Sequence, residues 1–385
     1  ARGGGKRLKP STSTPEAARP PPPVRRVLMT ADTVGGVWSY ALELCRALCA
    51  RGVRVELATM GAPLSSSQWQ EAQALMGLTV HESTWRLEWM DAPWDDVRAA
   101  GEWLLELEAR LSPDVVHLNG YCHGALPFRA PVLVVAHSCV LSWWEAVKRE
   151  PAPERYERYR AEVAKGLHAA SVVVAPTRAM LEAVRRHYGA LPDARIIPNA
   201  RRAEDFVPAT KEPFVLAAGR LWDEAKNLTA LEAAAQELPF PIHVAGDATP
   251  PGNGAVATTR STRPLGHLPP PVLARWMARA SVYALPARYE PFGLSALEAA
   301  LAGCALVLGD IPSLREVWGD AARFVPPDDP RALARTLRFL MSHPTERESL
   351  AARGRQRALT FTSERMVEAY LQLYAGLLRP ERRVS

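Results

Sequence analysis

Short β-rich runs alternate with helix-forming stretches twice along this chain, and that alternation limits the fold more than any other feature. The first series opens with Val24–Thr30 (VRRVLMT), a tight loop at Gly35-Gly36 and a helical run from Trp38 to Ala50. Further β-rich runs follow at Val53–Met60, Asp114–Asn119, Pro131–His137, Ser171–Pro176 and Arg195–Pro198. A charged linker with two prolines, Ala203–Pro213, leads into Phe214–Arg220, Pro241–Asp247, Ser281–Pro286 and Ala305–Asp310. Apolar strands separated by helices indicate parallel sheets covered on both faces. A length of 385 residues exceeds the size at which one core keeps growing. The sequence therefore predicts an α/β chain of two Rossmann-like, doubly wound parallel-sheet domains, residues 24–205 and 206–362, facing an interdomain cleft. Ligands of such sheets bind outside the strand carboxyl ends. The amphipathic run Ser363–Leu378 is expected to be a last helix returning to the first domain.

Hydrophobic residues make up 48% and charged residues 23%, the balance of a globular protein rather than a disordered or collagen-like one. The net charge of +6 does not indicate nucleic acid, because it is confined to the two tails. Residues 1–23 carry five cations against Glu16, and residues 379–385 three against Glu381, which leaves the body neutral. The first tail, with Gly3-Gly4-Gly5 and Pro20 to Pro23, is expected to be disordered. Cys45, Cys49, Cys122, Cys139 and Cys304 are scattered, without a CxxC or a zinc spacing, which suits a reducing, cytoplasmic compartment. No apolar run reaches the roughly 18 residues of a membrane span, so an integral membrane protein is not expected.

The stretch Arg288–Glu298, RYEPFGLSALE, directly follows an expected strand. Pro291 and Gly293 break regular structure before the helix-forming SALEAAL, so a helix N-terminus opens at a strand's carboxyl end. Its free N–H groups and its dipole suit a phosphate. Glu290 and Glu298 flank the turn, and carboxylates accept paired hydrogen bonds from sugar hydroxyls. Taken alone, Glu290 is more often a helix-dipole partner and Glu298 an exposed helix residue. Arg220 and Lys226, at and just beyond the end of another expected strand, can neutralise a diphosphate as it leaves; the plainer alternative is a pair of solvated surface charges.

EPFGLSALE, two glutamates separated by seven residues around a PFGL turn, resembles the signature of family 4 retaining glycosyltransferases of the GT-B fold. The GR-x5-KN element at Gly219–Asn227 and the GGV loop at Gly35 resemble the same family, and the match spans about residues 24–378. The resemblance implies a nucleotide diphosphate sugar donor and a hydroxyl acceptor. It implies that Arg220 and Lys226 bind the donor diphosphate, and that backbone groups at Gly293, Leu294 and Ser295 hold phosphate and sugar. Glu298 would take the ribose hydroxyls, and Glu290 would face the transferred sugar as a catalytic group without a covalent role. Gly35 and Gly36 would form a flexible loop over phosphate and acceptor, and His137 would lie beside the sugar's reacting side. No cofactor and no metal are expected, since there is no DxD motif and Asp328-Asp329 lies between prolines. Two departures stand out: Pro198–Arg202 reads PNARR where relatives commonly have PNGVD, and Gly246-Asp247-Ala248 replaces a common G-x-G.

Eight of the eleven tryptophans precede residue 145, and Trp143-Trp144 follow His137. Aromatic faces stack on sugars and also suit membrane interfaces, where Lys148-Arg149 could meet anionic lipid; an aromatic cap over the domain core is the equal alternative. Glycan, small-molecule and lipid-linked acceptors, and peripheral membrane contact, all stay open on these residues. Two other function classes compete. One is a non-catalytic nucleotide-sugar or glycan-binding protein, which turnover would separate. The other is a glycoside hydrolase using Glu290 and Glu298 as its carboxyl pair, a scheme in which Arg220 and Lys226 have no purpose.

Overall fold

The apolar runs of the first series become strands buried between helices, as the centre of a parallel sheet requires. In the computed structural model, which describes residues 24–250 and 254–378, the first sheet holds β1 (Arg26–Asp32), β2 (Arg54–Met60), β3 (Leu78–Glu82), β4 (Val115–Leu118), β5 (Val132–Val135), β6 (Val172–Ala175) and β7 (Ala194–Ile196). They pair in parallel in the order β3-β2-β1-β4-β5-β6-β7. The second sheet holds β8 (Glu212–Ala218), β9 (Ile242–Ala245), β10 (Arg263–Gly266), β11 (Ala280–Leu285), β12 (Ala305–Gly309) and β13 (Arg323–Val325). Its order is β10-β9-β8-β11-β12-β13, again parallel throughout. The first tail, expected to be disordered, and the basic tail 379–385 lie outside the described residues.

In both sheets the order of strands reverses at one place, between β1 and β4 in the first and between β8 and β11 in the second. Connections leave such a point in opposite directions and open a crevice at the strand carboxyl ends. The loops that enter these crevices carry Gly35 after β1, Asn119 after β4, Arg220 after β8 and Glu290 after β11.

Three strands that the apolar pattern does not reveal, β3, β10 and β13, are all sheet edges. They are half exposed and carry polar residues or Pro264 in place of a continuous apolar run, as edge strands tolerate.

The last helix, Ser363–Leu378, packs Met366, Val367, Tyr370, Leu371 and Tyr374 into the core beneath helix Gly36–Ala50. A buried polar chain fixes the contact. His117 Nδ1 lies 2.6 Å from Tyr374 Oη and its Nε2 3.2 Å from Tyr40 Oη, while the Tyr40 hydroxyl donates to Tyr370 Oη at 2.8 Å. With the Tyr40 proton so used, His117 carries its own on Nε2. Burial drives its pKa down to about 3, so it is a neutral imidazole with one donor and one acceptor, both satisfied.

Candidate active site

Two helix N-termini meet across the cleft. Helix Gly36–Ala50 starts just after β1, and helix Leu294–Leu301 just after the turn that follows β11. Neither is capped by a side chain, which leaves their first N–H groups free for an anion. Gly35 has φ +95° with ψ −156° and Gly293 φ +90° with ψ 62°, backbone regions that cost a residue with a Cβ about 1–3 kcal/mol. A Cβ on Gly36 would stand 3.8 Å from Leu294 Cδ1, and one on Gly35 would stand 3.5 Å from Arg220 Nη1. The two termini are therefore adjacent, with the Arg220 guanidinium beside them. Here the expected loop needs correction: Gly36 is the first residue of its helix, and only Gly35 turns the chain.

Lys226 ends a short 3-10 turn, Glu224–Lys226, and forms an ion pair with Glu290, both side chains being largely buried. Asp223 orders this region. Its Oδ2 accepts from Arg220 Nη2 at 3.0 Å, and its Oδ1 accepts from the Ala225 N–H at 3.0 Å. Ser313 Oγ donates to the Glu290 carbonyl, which steadies the turn before the helix. Ser295 Oγ lies 2.7 Å from Tyr283 Oη, itself 3.1 Å from the Ala218 carbonyl, so the helix start is tied to β8 and β11.

Glu298 stands one turn further into its helix and is not at the free N-terminus. Its Oε1 lies 2.8 Å from Arg201 Nε, and the same guanidinium reaches Glu43 at 3.4 Å. Burial raises the Glu298 carboxyl above the usual range, and Arg201 draws it back down. Arg201 belongs to the PNARR crossover. Ala200, where the family resemblance leads one to expect glycine, is buried and does not take a positive φ, so this crossover requires no glycine.

On the first domain's side, His137 lies two residues past β5. Asn119 Nδ2 donates to the Thr30 carbonyl at 2.8 Å, which presents Oδ1 to His137 Nε2, also at 2.8 Å. His137 therefore carries its proton on Nε2 and keeps the Nδ1 lone pair. Burial lowers its pKa to about 3, so the ring is neutral near pH 7. The ring stands edge-on to Tyr40 at 4.5 Å, within helix Gly36–Ala50. The Cys139 N–H donates to Tyr289 Oη at 3.1 Å, which brings the loop after β5 against the turn that carries Glu290.

One cleft thus collects Gly35, Gly36, Arg220, Lys226, Glu290, Gly293, Leu294 and Ser295, with His137 at its wall and Glu298 at the crossover. Sequence reasoning missed Asp32, Arg201 and Asp223. Asp32 ends β1, and its Oδ1 accepts the Val34 N–H at 2.6 Å. Burial pushes its carboxyl up to about 7, against the pull of that N–H and of Arg220. Its signal was a carboxylate at a strand's end just before the glycine pair; the signal for Arg201 was the PNARR departure itself. Among the described residues, no group of three or more His, Cys, Asp and Glu side chains is placed to hold a metal, and no helix is long and apolar enough to cross a membrane.

Residues 34–204 match the family model Glycosyltransferase Family 4, and residues 212–343 match Glycosyl transferases group 1. The chain is 29% identical over 391 residues to the D-inositol 3-phosphate glycosyltransferase of Xylanimonas cellulosilytica, a match covering 89% of this chain and 91% of that protein. Sucrose-phosphate synthase from Thermosynechococcus elongatus aligns with a TM-score of 0.75 at 22% identity, covering 92% of this chain and 99% of the other. HepE of Anabaena in complex with UDP-glucose aligns with a TM-score of 0.71 at 16% identity, covering 91% and 99%.

Proposed function

Because the chain belongs to glycosyltransferase family 4 and takes the GT-B fold, we propose that it moves a hexose from a nucleoside diphosphate sugar to a hydroxyl acceptor with retention of anomeric configuration. The observation that carries this reading is the meeting of two uncapped helix N-termini beside Arg220 and Lys226. Such donors suit a diphosphate better than any neutral ligand.

In this mechanism Arg220 and Lys226 meet the charge that grows on the departing diphosphate, and the free N–H groups of Gly36, Leu294 and Ser295 bind its oxygens. A phosphate that competes for Lys226 releases the Glu290 carboxylate to the sugar's hydroxyls. His137, neutral and with a free Nδ1, accepts from a sugar hydroxyl. Glu298 takes the ribose hydroxyls. The bond from C1 to the diphosphate oxygen breaks, and a bond from C1 to the acceptor oxygen forms on the same face. The acceptor's proton passes to the departing diphosphate, so no protein group is joined to the sugar. Closure of the cleft holds both reactants together and keeps water from the donor.

The neighbour solved with UDP-glucose supports a UDP-hexose as the first donor to test. The relative named for D-inositol 3-phosphate supports a polyol hydroxyl as the first acceptor. All five cysteines are free, in keeping with a reducing compartment.

The test is a thermal-shift series with UDP, GDP, ADP and TDP and their sugar conjugates, run on the wild type and on Arg220→Ala. A ligand at 100 times its dissociation constant stabilises the fold by about 2.7 kcal/mol. One nucleotide family should shift the wild type and leave the variant unmoved, and NMR of the product formed with a polyol panel should show the donor's anomeric configuration kept. Absence of any shift at millimolar nucleotide would remove the donor-site assignment.

A further inference from the structure

Asp223 is 6% exposed, and its bonds to Arg220 and Ala225 lie within the second domain. Its remaining partner does not. Trp143 Nε1, on helix Val140–Lys148 of the first domain, donates to Asp223 Oδ1 at 2.9 Å. The Asp223 carbonyl accepts the Lys226 N–H at 2.9 Å. One carboxylate residue therefore sets the Arg220 side chain, starts the turn that carries Lys226, and touches the opposite domain. The helix that provides Trp143 begins three residues after His137, and its Lys148 also reaches across to Glu224 at 2.8 Å.

We propose that Trp143 and Asp223 are positioning residues that couple closure of the cleft to the placement of Arg220 and Lys226. With the domains apart, Asp223 lacks the indole donor, and its carboxylate is no longer held in the one orientation that meets both Arg220 and the Ala225 N–H. Docking of the Trp143 N–H completes its set of donors and locks both donor-site cations together. The two tryptophans do not form an open sugar platform: Trp143 ends on Asp223, and Trp144 stands edge-on to Trp143 at 5.8 Å and tilted against Tyr156 at 6.2 Å. This inference rests on the transferase reading above, which it extends from the residues that bind the donor to the contact that arms them.

The experiment compares Trp143→Phe, which keeps an aromatic ring and removes the indole N–H with the five-membered ring that carries it, with Asp223→Asn and with the double variant. Trp143→Phe should lower kcat about tenfold with donor KM changed less than twofold. Asp223→Asn, which also weakens the hold on Arg220, should lower kcat and raise donor KM. The double variant should fall no further than Asp223→Asn alone, because both changes break one chain. A Trp143→Phe enzyme within twofold of wild-type kcat, or losses that multiply in the double variant, would overturn the coupling. Amide hydrogen exchange gives a second readout that needs no turnover. Exchange at Ala225 and Lys226 should quicken in Trp143→Phe, and unchanged protection there would also overturn it. If no nucleotide binds the wild type, the function reading falls, while exchange in the Glu224–Lys226 turn still decides the coupling.

Discussion

Arg201 Nε lies 2.8 Å from Glu298 Oε1 in the second domain while its Nη1 lies 3.4 Å from Glu43 Oε2 in the first. Glu43 is fully buried and also accepts from Ser363 Oγ at 2.6 Å. A single guanidinium at the crossover thus holds a second-domain carboxylate, a first-domain helix and, through Glu43, the start of the last helix.

Removal of that cation leaves two shielded carboxylates short of their partner. Arg201→Ala is expected to lower the unfolding free energy by about 3 kcal/mol, the low end for a broken buried pair, because Arg46 still stands beside Glu43. Urea denaturation followed by circular dichroism checks this, with the midpoint falling at unchanged slope. A loss below about 0.5 kcal/mol would class Arg201 with ordinary surface substitutions.

Asp32 gives the pH prediction. Its folded pKa, raised from 3.8 to about 7 by burial, means that the folded state holds the proton more tightly than the unfolded chain. Stability therefore falls as pH rises from about 4 to about 7 and levels off above that range. Asp32→Asn removes this penalty and keeps an oxygen for the Val34 N–H. The variant should be more stable than wild type by on the order of 2 kcal/mol at pH 8, with the difference vanishing near pH 4. Melting curves at pH 4, 6 and 8 read it directly; a pH-independent difference would place the carboxyl in water.

Interior strands that match the expected pattern, such as β5 (VLVV) and β6 (VVVA), are buried on both faces, which demands an uninterrupted apolar run. The edge strands β3 (LTVHE) and β10 (RPLG) escaped because one side of each meets solvent, so no such run is required. The same locality governs the site. Glu290, Gly293 and Glu298 share one turn-and-helix segment, and Arg220 and Lys226 one loop, so their chemistry is visible within a few residues. The partners that hold them are separated by 97 residues for Arg201 and Glu298 and by 80 for Trp143 and Asp223. Such pairs leave no mark on spacing or periodicity. Gly35-Gly36 differs in another way: a glycine pair predicts a tight loop, whereas here a glycine with positive φ starts a helix and leaves its N–H groups bare.

Gly35→Ala tests that start. Gly35 has φ +95° and ψ −156°, a region essentially reserved to glycine and costing about 1–3 kcal/mol for a residue with a Cβ. The added methyl would also face Arg220 Nη1 at 3.5 Å. The variant should be less stable by about 2 kcal/mol and should bind UDP at least tenfold more weakly by calorimetry, because the helix start and the guanidinium shift together. Unaltered UDP affinity in a folded variant would separate this terminus from the donor site.

Glu290→Gln distinguishes a group that acts on the sugar from one that only holds Lys226. The two side chains are paired, so a diphosphate must win Lys226 from Glu290. The neutral amide gives up the lysine, and UDP should bind Glu290→Gln as tightly as wild type or more tightly. Turnover should move the opposite way. A carboxylate that steadies positive charge developing at the sugar is absent from the variant, and kcat should fall about 100-fold, the scale seen when one preorganised electrostatic partner is lost. If Glu290 served only to place Lys226, its loss would weaken UDP binding along with kcat, as Lys226→Ala should. Calorimetric UDP affinity and steady-state kcat on the same two variants therefore separate the roles: opposite signs in Glu290→Gln assign its carboxylate to the sugar, and parallel losses assign it to the lysine.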